Sequence, residues 1–148
     1  MKAPVEILPF LLRHLNRVLE IEEACFGEAA YPRELFLELY RECPGMFFVA
    51  RRARRIVGYC IAGAKENTAE LVSVAVAPAQ QASGVGRMLI RYAIRRLKLR
   101  RIRTVTLMVR VDNRDAIRLY RRLGFSPIAK IPRYYEDRSV GLLMRKRV

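Results

Sequence analysis

V-S-V-A-V-A-P-A-Q-Q-A-S-G-V-G-R-M-L, residues 72–89, is the stretch on which the reading of this chain turns. Its alternating β-branched run (Val72, Val74, Val76) reads as a strand that stops at Pro78. A short polar turn follows, bearing Gly84 and Gly86, and an amphipathic helix begins at once. A strand that feeds a glycine-bearing turn at a helix N-terminus leaves several backbone N–H groups pointing outward. With the positive end of the helix dipole, they suit a diphosphate. The glycines let the backbone approach an anion with no Cβ in the way. A Walker-type phosphate loop would carry Lys and then Ser or Thr after the second glycine, whereas Arg87 and Met88 follow here. A dinucleotide fingerprint would need three spaced glycines at the first strand of the fold. An ordinary helix start with tolerated glycines is the alternative.

Outward from this stretch, the elements alternate in type. Val5–Pro9 reads as a strand, and Leu11, Leu15, Val18 and Leu19 predict a helix from Phe10 to Cys25. Phe26–Tyr31 is a loop, and Pro32 opens a second helix carrying Leu35, Phe36 and Leu39. Met46–Arg51 and Ile56–Ala64 form a strand pair about the turn Arg52–Arg55, and Ala69–Val76 is the next strand. The helix after Gly84 is expected to bury Val85, Met88, Leu89 and Tyr92 and to present Arg87, Arg91, Arg95 and Lys98 as a basic stripe. Thr104–Val109 is a strand. Asn113 can cap a helix lined by Ala116, Leu119, Tyr120 and Leu123, which Gly124 ends. Phe125–Lys130 and Val140–Arg145 close the chain as strands around the loop 132–139. The order β-α-α-β-β-β-α-β-α-β-β specifies an α+β class with a mixed sheet, read as one domain over 1–148.

Composition narrows the function. A 148-residue chain with 52% apolar residues can bury roughly 70% of its unfolded surface, enough for one core. No run approaches the ~20 apolar residues of a membrane span. Pro4, Glu6 and Pro9 do not resemble a signal peptide, so the expected setting is cytoplasmic. The three cysteines (Cys25, Cys43, Cys60) lack metal-ligand spacing and His14 is the one histidine, so no metal site is expected. The cysteines read as reduced and mostly buried, and His14 as structural or exposed. Residues 1–50 hold five Lys/Arg against eight Asp/Glu, and residues 51–148 hold twenty-four against six. So basic a half suits either a polyanionic partner, such as ribosome or RNA, or a solvated surface.

The spacing Gln81-x-x-Gly84-x-Gly86 resembles the acetyl-CoA pyrophosphate signature of the GNAT superfamily of N-acetyltransferases. The segment L-M-V-R-V-D-N-R-D-A-I-R-L-Y-R-R-L-G-F (Leu107–Phe125) is similar to the bacterial ribosomal-protein-alanine acetyltransferase branch. So are C-F-G-E-A-A-Y-P-R-E-L-F near the N-terminus and the late pair Tyr134–Tyr135. The resemblance covers almost the whole length. It implies a three-layer α/β/α fold with about seven strands and about four helices. It also implies acetyl transfer from acetyl-CoA to a primary amine, by direct attack in a ternary complex. The N-terminal α-amine of a protein, plausibly a ribosomal one, is the acceptor of that branch.

The same resemblance implies site residues. Val74 and Val76 would hydrogen-bond the pantetheine arm, and Gln81, Ala82, Gly84, Val85, Gly86 and Arg87 would surround the pyrophosphate. Asn113 resembles the asparagine that hydrogen-bonds the coenzyme, although an N-cap explains it equally. Tyr120 resembles the tyrosine whose hydroxyl lies near the coenzyme sulfur, making it the general acid. Its place on the apolar stripe also fits plain core. Tyr31, Tyr134 and Tyr135 resemble residues walling the peptide N-terminus. The branch usually has glutamate where this chain has Met108, and methionine cannot take a proton. Glu70, six residues before Val76, has the spacing of the catalytic glutamate in the histone-acetyltransferase branch, or is a strand-start glutamate facing solvent. An α-amine with a pKa near ~8, against ~10.4 for lysine, needs only a modest base. Two alternatives stay open. One is acetylation of lysine or a small-molecule amine. The other is a non-catalytic module that binds ribosome or RNA through Arg95, Arg96, Arg100, Arg101 and Arg103.

Overall fold

The computed structural model describes residues 3–148, so Met1 and Lys2 of the expected domain lie outside the described residues. Seven strands run β1 (Val5–Pro9), β2 (Phe47–Arg52), β3 (Arg55–Lys65), β4 (Thr68–Val76), β5 (Thr104–Arg110), β6 (Ser126–Ile131) and β7 (Gly141–Arg147). Four α-helices join them: α1 (Leu15–Phe26), α2 (Arg33–Glu42), α3 (Val85–Leu99) and α4 (Arg114–Arg122). The sheet order is β1-β2-β3-β4-β5-β7-β6. Every pairing is antiparallel except β4 with β5. This is the α+β, mixed-sheet, three-layer architecture that the element order predicts.

Each sheet face has its own core. On one side Leu15, Val18 and Ile21 of α1 and Phe36 and Leu39 of α2 pack on Val49, Tyr59 and Ile61. On the other, Val85, Leu89, Ile90, Ala93, Ile94 and Leu97 of α3 pack with Ala116, Leu119 and Tyr120 of α4 on Phe48, Cys60 and Val105. Such apolar faces bury at the usual ~25 cal/mol per Å² of area removed from water, the term that holds the layers together.

Two features of the central strands position the site. The parallel β4–β5 ladder covers only Thr68–Leu71 against Thr104–Leu107, although both strands continue beyond it. Past Leu71 and Leu107 they part. The β3–β4 register shifts between Ile61 and Ala62, so Val72 has no partner across the ladder. Such a bulge turns two consecutive side chains to one face. Val72 joins the α1–α2 core, and the next residue, Ser73, bonds Tyr59 of that same core.

Several local expectations are corrected. The first helix begins at Leu15, after a 3-10 turn over Leu12–His14, because Phe10 leaves the helix to stack on Phe47 at 3.9 Å. Leu11 is exposed, its N–H donating to His14 Nδ1 at 3.0 Å, so His14 is structural. Met88 is 40% exposed, not buried, since the covered face of α3 runs through Leu89, Ala93 and Leu97 with Ile90 and Ile94 beside it. Of the cysteines only Cys60 is buried; Cys25 and Cys43 are half-buried.

Candidate active site

The turn between β4 and α3 sets out amides. Ala82 and Gly84 both take positive φ (62° and 88°), Ala82 by accepting a strain that glycine would not feel. Gly84 is the N-cap of α3, which has no side-chain cap among the described residues. The first i→i−4 bond of α3 runs from Met88 N–H to Gly84 C=O at 3.0 Å, so the amides of Val85, Gly86 and Arg87 precede any intrahelical partner. Gly86 has no positive φ. A Cβ there would meet Leu119 and Val76 at ordinary distances of 3.5 and 3.6 Å, so the conformational demand falls on Gly84. Arg87 is exposed beside these amides, and Val85 buries its side chain, leaving only its backbone to the turn. Gln81, itself exposed, ties the turn back to β4: its Nε2 donates to Val76 C=O at 3.1 Å.

Where β4 and β5 part, a cleft of about 480 Å³ opens. Ser73, Val74, Met108, Arg110, Asn113, Tyr120 and Tyr135 line it, with Tyr31 and Glu22 from the α1 side. Ala77 N–H bonds Val57 C=O at 2.8 Å, which makes that opposed pair a hydrogen-bonded one. Alternation then turns the N–H and C=O of Val76 and Val74 away from β3, toward the space β5 has vacated. The carbonyl of Val76 already takes Gln81 and the Cys25 thiol, the latter at 3.1 Å. The fit to a pantetheine amide therefore rests on the Val76 N–H and on both groups of Val74.

Tyr120 is half-buried in α4, edge-on to Phe125 with centroids 6.0 Å apart, while its ring also lines the cleft. Burial raises its pKa, so the phenol stays protonated and a donor throughout the physiological range. Asn113 is the N-cap of α4, its Oδ1 accepting Ala116 N–H at 3.2 Å, and it lines the cleft as well. Tyr31 and Tyr135 line the same cleft, with Tyr134 beside Tyr135. Tyr31 is exposed, and Tyr134 packs edge-on to Tyr135 at 4.9 Å. Burial first, then the neighbouring phenols Tyr134 and Tyr31, push Tyr135 up to about 12. Arg110 lies 4.2 Å over the Tyr135 ring and pairs with Asp137 at 2.8 Å, pinning the loop that carries these rings.

Glu70 lines a separate groove with Glu42, Cys43, Lys65 and Thr106, which shares Val72 with the cleft. Burial raises its pKa, and its charge raises the phenols of Tyr31 and Tyr134. Met108, half-buried, lines the cleft at the position where the resembling branch has glutamate. Sequence reading passed over Glu22, which is 1% exposed. Its signal was its place on the apolar stripe of α1, four residues after Val18, hidden among the neighbours Glu20 and Glu23.

Residues 15–125 match the model of the acetyltransferase (GNAT) family. The chain is similar to an N-alpha-acetyltransferase of Sulfurisphaera tokodaii, 29% identical over 146 residues that cover 90% of this chain and 87% of that protein. The structure of Ard1 from Thermoplasma volcanium superposes with a TM-score of 0.93 at 30% identity, covering 97% of each chain. That of the ribosomal-protein-S18-alanine N-acetyltransferase from Escherichia coli superposes with a TM-score of 0.89 at 26% identity, covering 98% of this chain and 94% of the other.

Proposed function

The chain belongs to the acetyltransferase (GNAT) family, and from that premise we propose that it acetylates the N-terminal α-amine of a protein with acetyl-CoA, by direct attack in a ternary complex. One observation carries the reading. The gap between β4 and β5 opens a cleft lined by Tyr120, Tyr31 and Tyr135, and the strand that edges it, β4, runs on into the turn that sets out the free amides of α3. The similar proteins named for N-alpha and ribosomal-protein-alanine acetylation support the choice of an α-amine.

In this reading the amides of Val85, Gly86 and Arg87, with Ala82, Gly84 and the Arg87 guanidinium, hold the pyrophosphate. Val74, the Val76 N–H and Asn113 align the arm, while Gln81 keeps the turn against β4. Acetyl-CoA supplies the activated acyl group. Tyr120, kept protonated, donates to the departing sulfur. Tyr31, Tyr134 and Tyr135 wall the incoming N-terminus, and Glu70 stands near them as the carboxylate that draws its positive charge. Holding the two reactants together supplies much of the rate. Among the described residues no helix is long and apolar enough to cross a membrane. The cytoplasm, where ribosomal N-termini emerge, is the setting this reading takes.

Met108 in place of glutamate favours a second reading, in which lysine or a small-molecule amine is the acceptor and Glu70 is the base. A third keeps the fold as a ribosome- or RNA-binding module. It rests on the stretch Leu71–Val111, which holds nine Lys/Arg and no Asp or Glu. A peptide-library assay that follows thiol release and locates the acetyl group by mass spectrometry separates them. Acetyl on α-nitrogen is the expected result. Acetyl on ε-nitrogen only would replace it with the second reading, and RNA binding without thiol release with the third.

A further inference from the structure

Glu22 is the charged side chain that the described core buries, and burial without partners would forfeit its hydration. Both its oxygens have donors. Oε2 accepts the Tyr31 N–H at 2.9 Å, and Oε1 accepts the hydroxyl of Tyr59. Tyr59 is itself fully buried, and its oxygen lies 2.9 Å from Ser73 Oγ. Ser73 lines the cleft, aimed there by the Val72 bulge.

Counting protons gives this chain a direction. A carboxylate has none to offer and a phenol has one, so the Tyr59 proton lies toward Glu22. The contact with Ser73 must then run the other way, with Ser73 donating and Tyr59 accepting. The lone pairs left on Ser73 Oγ face the cleft, as an acceptor for an N–H.

We propose that Ser73, Tyr59 and Glu22 form a proton relay that takes a proton from the acceptor amine at Ser73 and delivers it to Glu22. The proposal rests on the acetyltransferase reading, and it supplies the base that Met108 does not. The acceptor enters as an ammonium. One of its protons passes to Ser73 Oγ as the Ser73 proton moves to Tyr59 and the Tyr59 proton to Glu22 Oε1. The freed lone pair forms the C–N bond to the acetyl carbon, and the C–S bond breaks with its electrons on sulfur, which takes the Tyr120 proton. The nitrogen loses its second proton to water, Tyr120 regains one from water, and Glu22 releases its own back along the relay. One proton is released overall. Burial favours the protonated form of Glu22, as a terminal acceptor requires. The titratable groups facing it are Tyr59 from β3, Tyr31 from the loop after α1 and Cys25 of its own helix.

Glu22→Gln tests the relay with few new contacts. The amide oxygen can accept the Tyr31 N–H and the amide nitrogen can donate to Tyr59, which then donates to Ser73. The contacts survive with their polarity reversed, and Ser73 turns a hydrogen toward the cleft. Turnover of an N-terminal peptide should fall about a hundredfold near pH ~6.5. The loss should shrink to a few-fold near pH ~9.5, where water has already deprotonated an amine of pKa ~8. Ser73→Ala, which leaves Glu22 and Tyr59 in place, should follow the same profile with unchanged acetyl-CoA affinity and circular dichroism. Loss by one factor at every pH in both variants, or no loss, would overturn the relay while leaving the acetyltransferase reading standing. So would transfer of the pH signature to Glu70→Gln. Wild-type protein that acetylates no amine at all would sink both.

Discussion

At the scale of single residues, Tyr120 and Glu22 are side chains of ordinary sequence whose surroundings suit them to the proposed chemistry. Tyr120→Phe keeps the ring that packs on Phe125 and removes only the hydroxyl. The fold and acetyl-CoA affinity should stay, and turnover should drop at least about tenfold in a thiol-release assay. A rate within about twofold of wild type would remove Tyr120 from the chemistry. Glu22 carries a pH signature in stability too. Burial raises its folded pKa above the unfolded value of ~4.3, so its contribution is fully present below that value and is lost as pH rises through the folded pKa. Relative to Glu22→Gln, wild-type protein should therefore lose urea resistance as pH rises above ~4, and equal curves for the two proteins would refute this. Tyr120 is a candidate in the sequence because its neighbours carry a motif, and the structure puts its ring on the cleft wall. Glu22 is not one, because its proposed function depends on Tyr59 and Ser73, thirty-seven and fifty-one residues away. Ser73 was missed for the same reason: only the bulge gives it its aim, and nothing in V-S-V-A-V announces a bulge.

At the scale of elements, the start of α3 is legible in the sequence and the start of α1 is not. Gly84 marks α3 because a positive φ of 88° is a backbone demand visible in the residue itself. A Cβ at Gly84 would meet nothing within 4 Å, so Gly84→Ala should cost about 1–2 kcal/mol from the backbone alone. If the turn relaxes to relieve that strain, the amides lose their aim. Thermal unfolding and acetyl-CoA calorimetry on this variant should therefore weaken together. Asn113→Ala should remove the α4 cap at about 1 kcal/mol, and an unchanged melting temperature would show that the cap contributes nothing. The first turn of the expected first helix was lost to a long-range competitor, the stacking of Phe10 on Phe47. Met88 was misplaced for a subtler reason. Helical period gives the direction of a stripe, but its width follows from what lies opposite, here a sheet face that covers Leu89 and Ile90 and leaves the flank open.

At the scale of the whole molecule, charge and topology were legible to different depths. The net charge of +15 follows from composition, and four ion pairs stand among the described residues, so most cations repel one another without local relief. Salt should therefore stabilise the protein, its melting temperature rising from ~20 to ~200 mM as the Debye length shortens. If the basic surface binds RNA, the apparent affinity should fall steeply over the same range. The strand count and layering followed from element order, but the premature end of the β4–β5 ladder did not, since pairing length is set by both partners together. That parting leaves a seam with missing rungs through the middle of the sheet. Protons on the Val74 and Val76 nitrogens should trade with deuterium readily when the protein is alone, although they belong to a central strand of the sheet. Occupation by a molecule bearing amides of its own would complete the seam, joining the four-strand and three-strand halves, and slow that trade far more than at the outer strands.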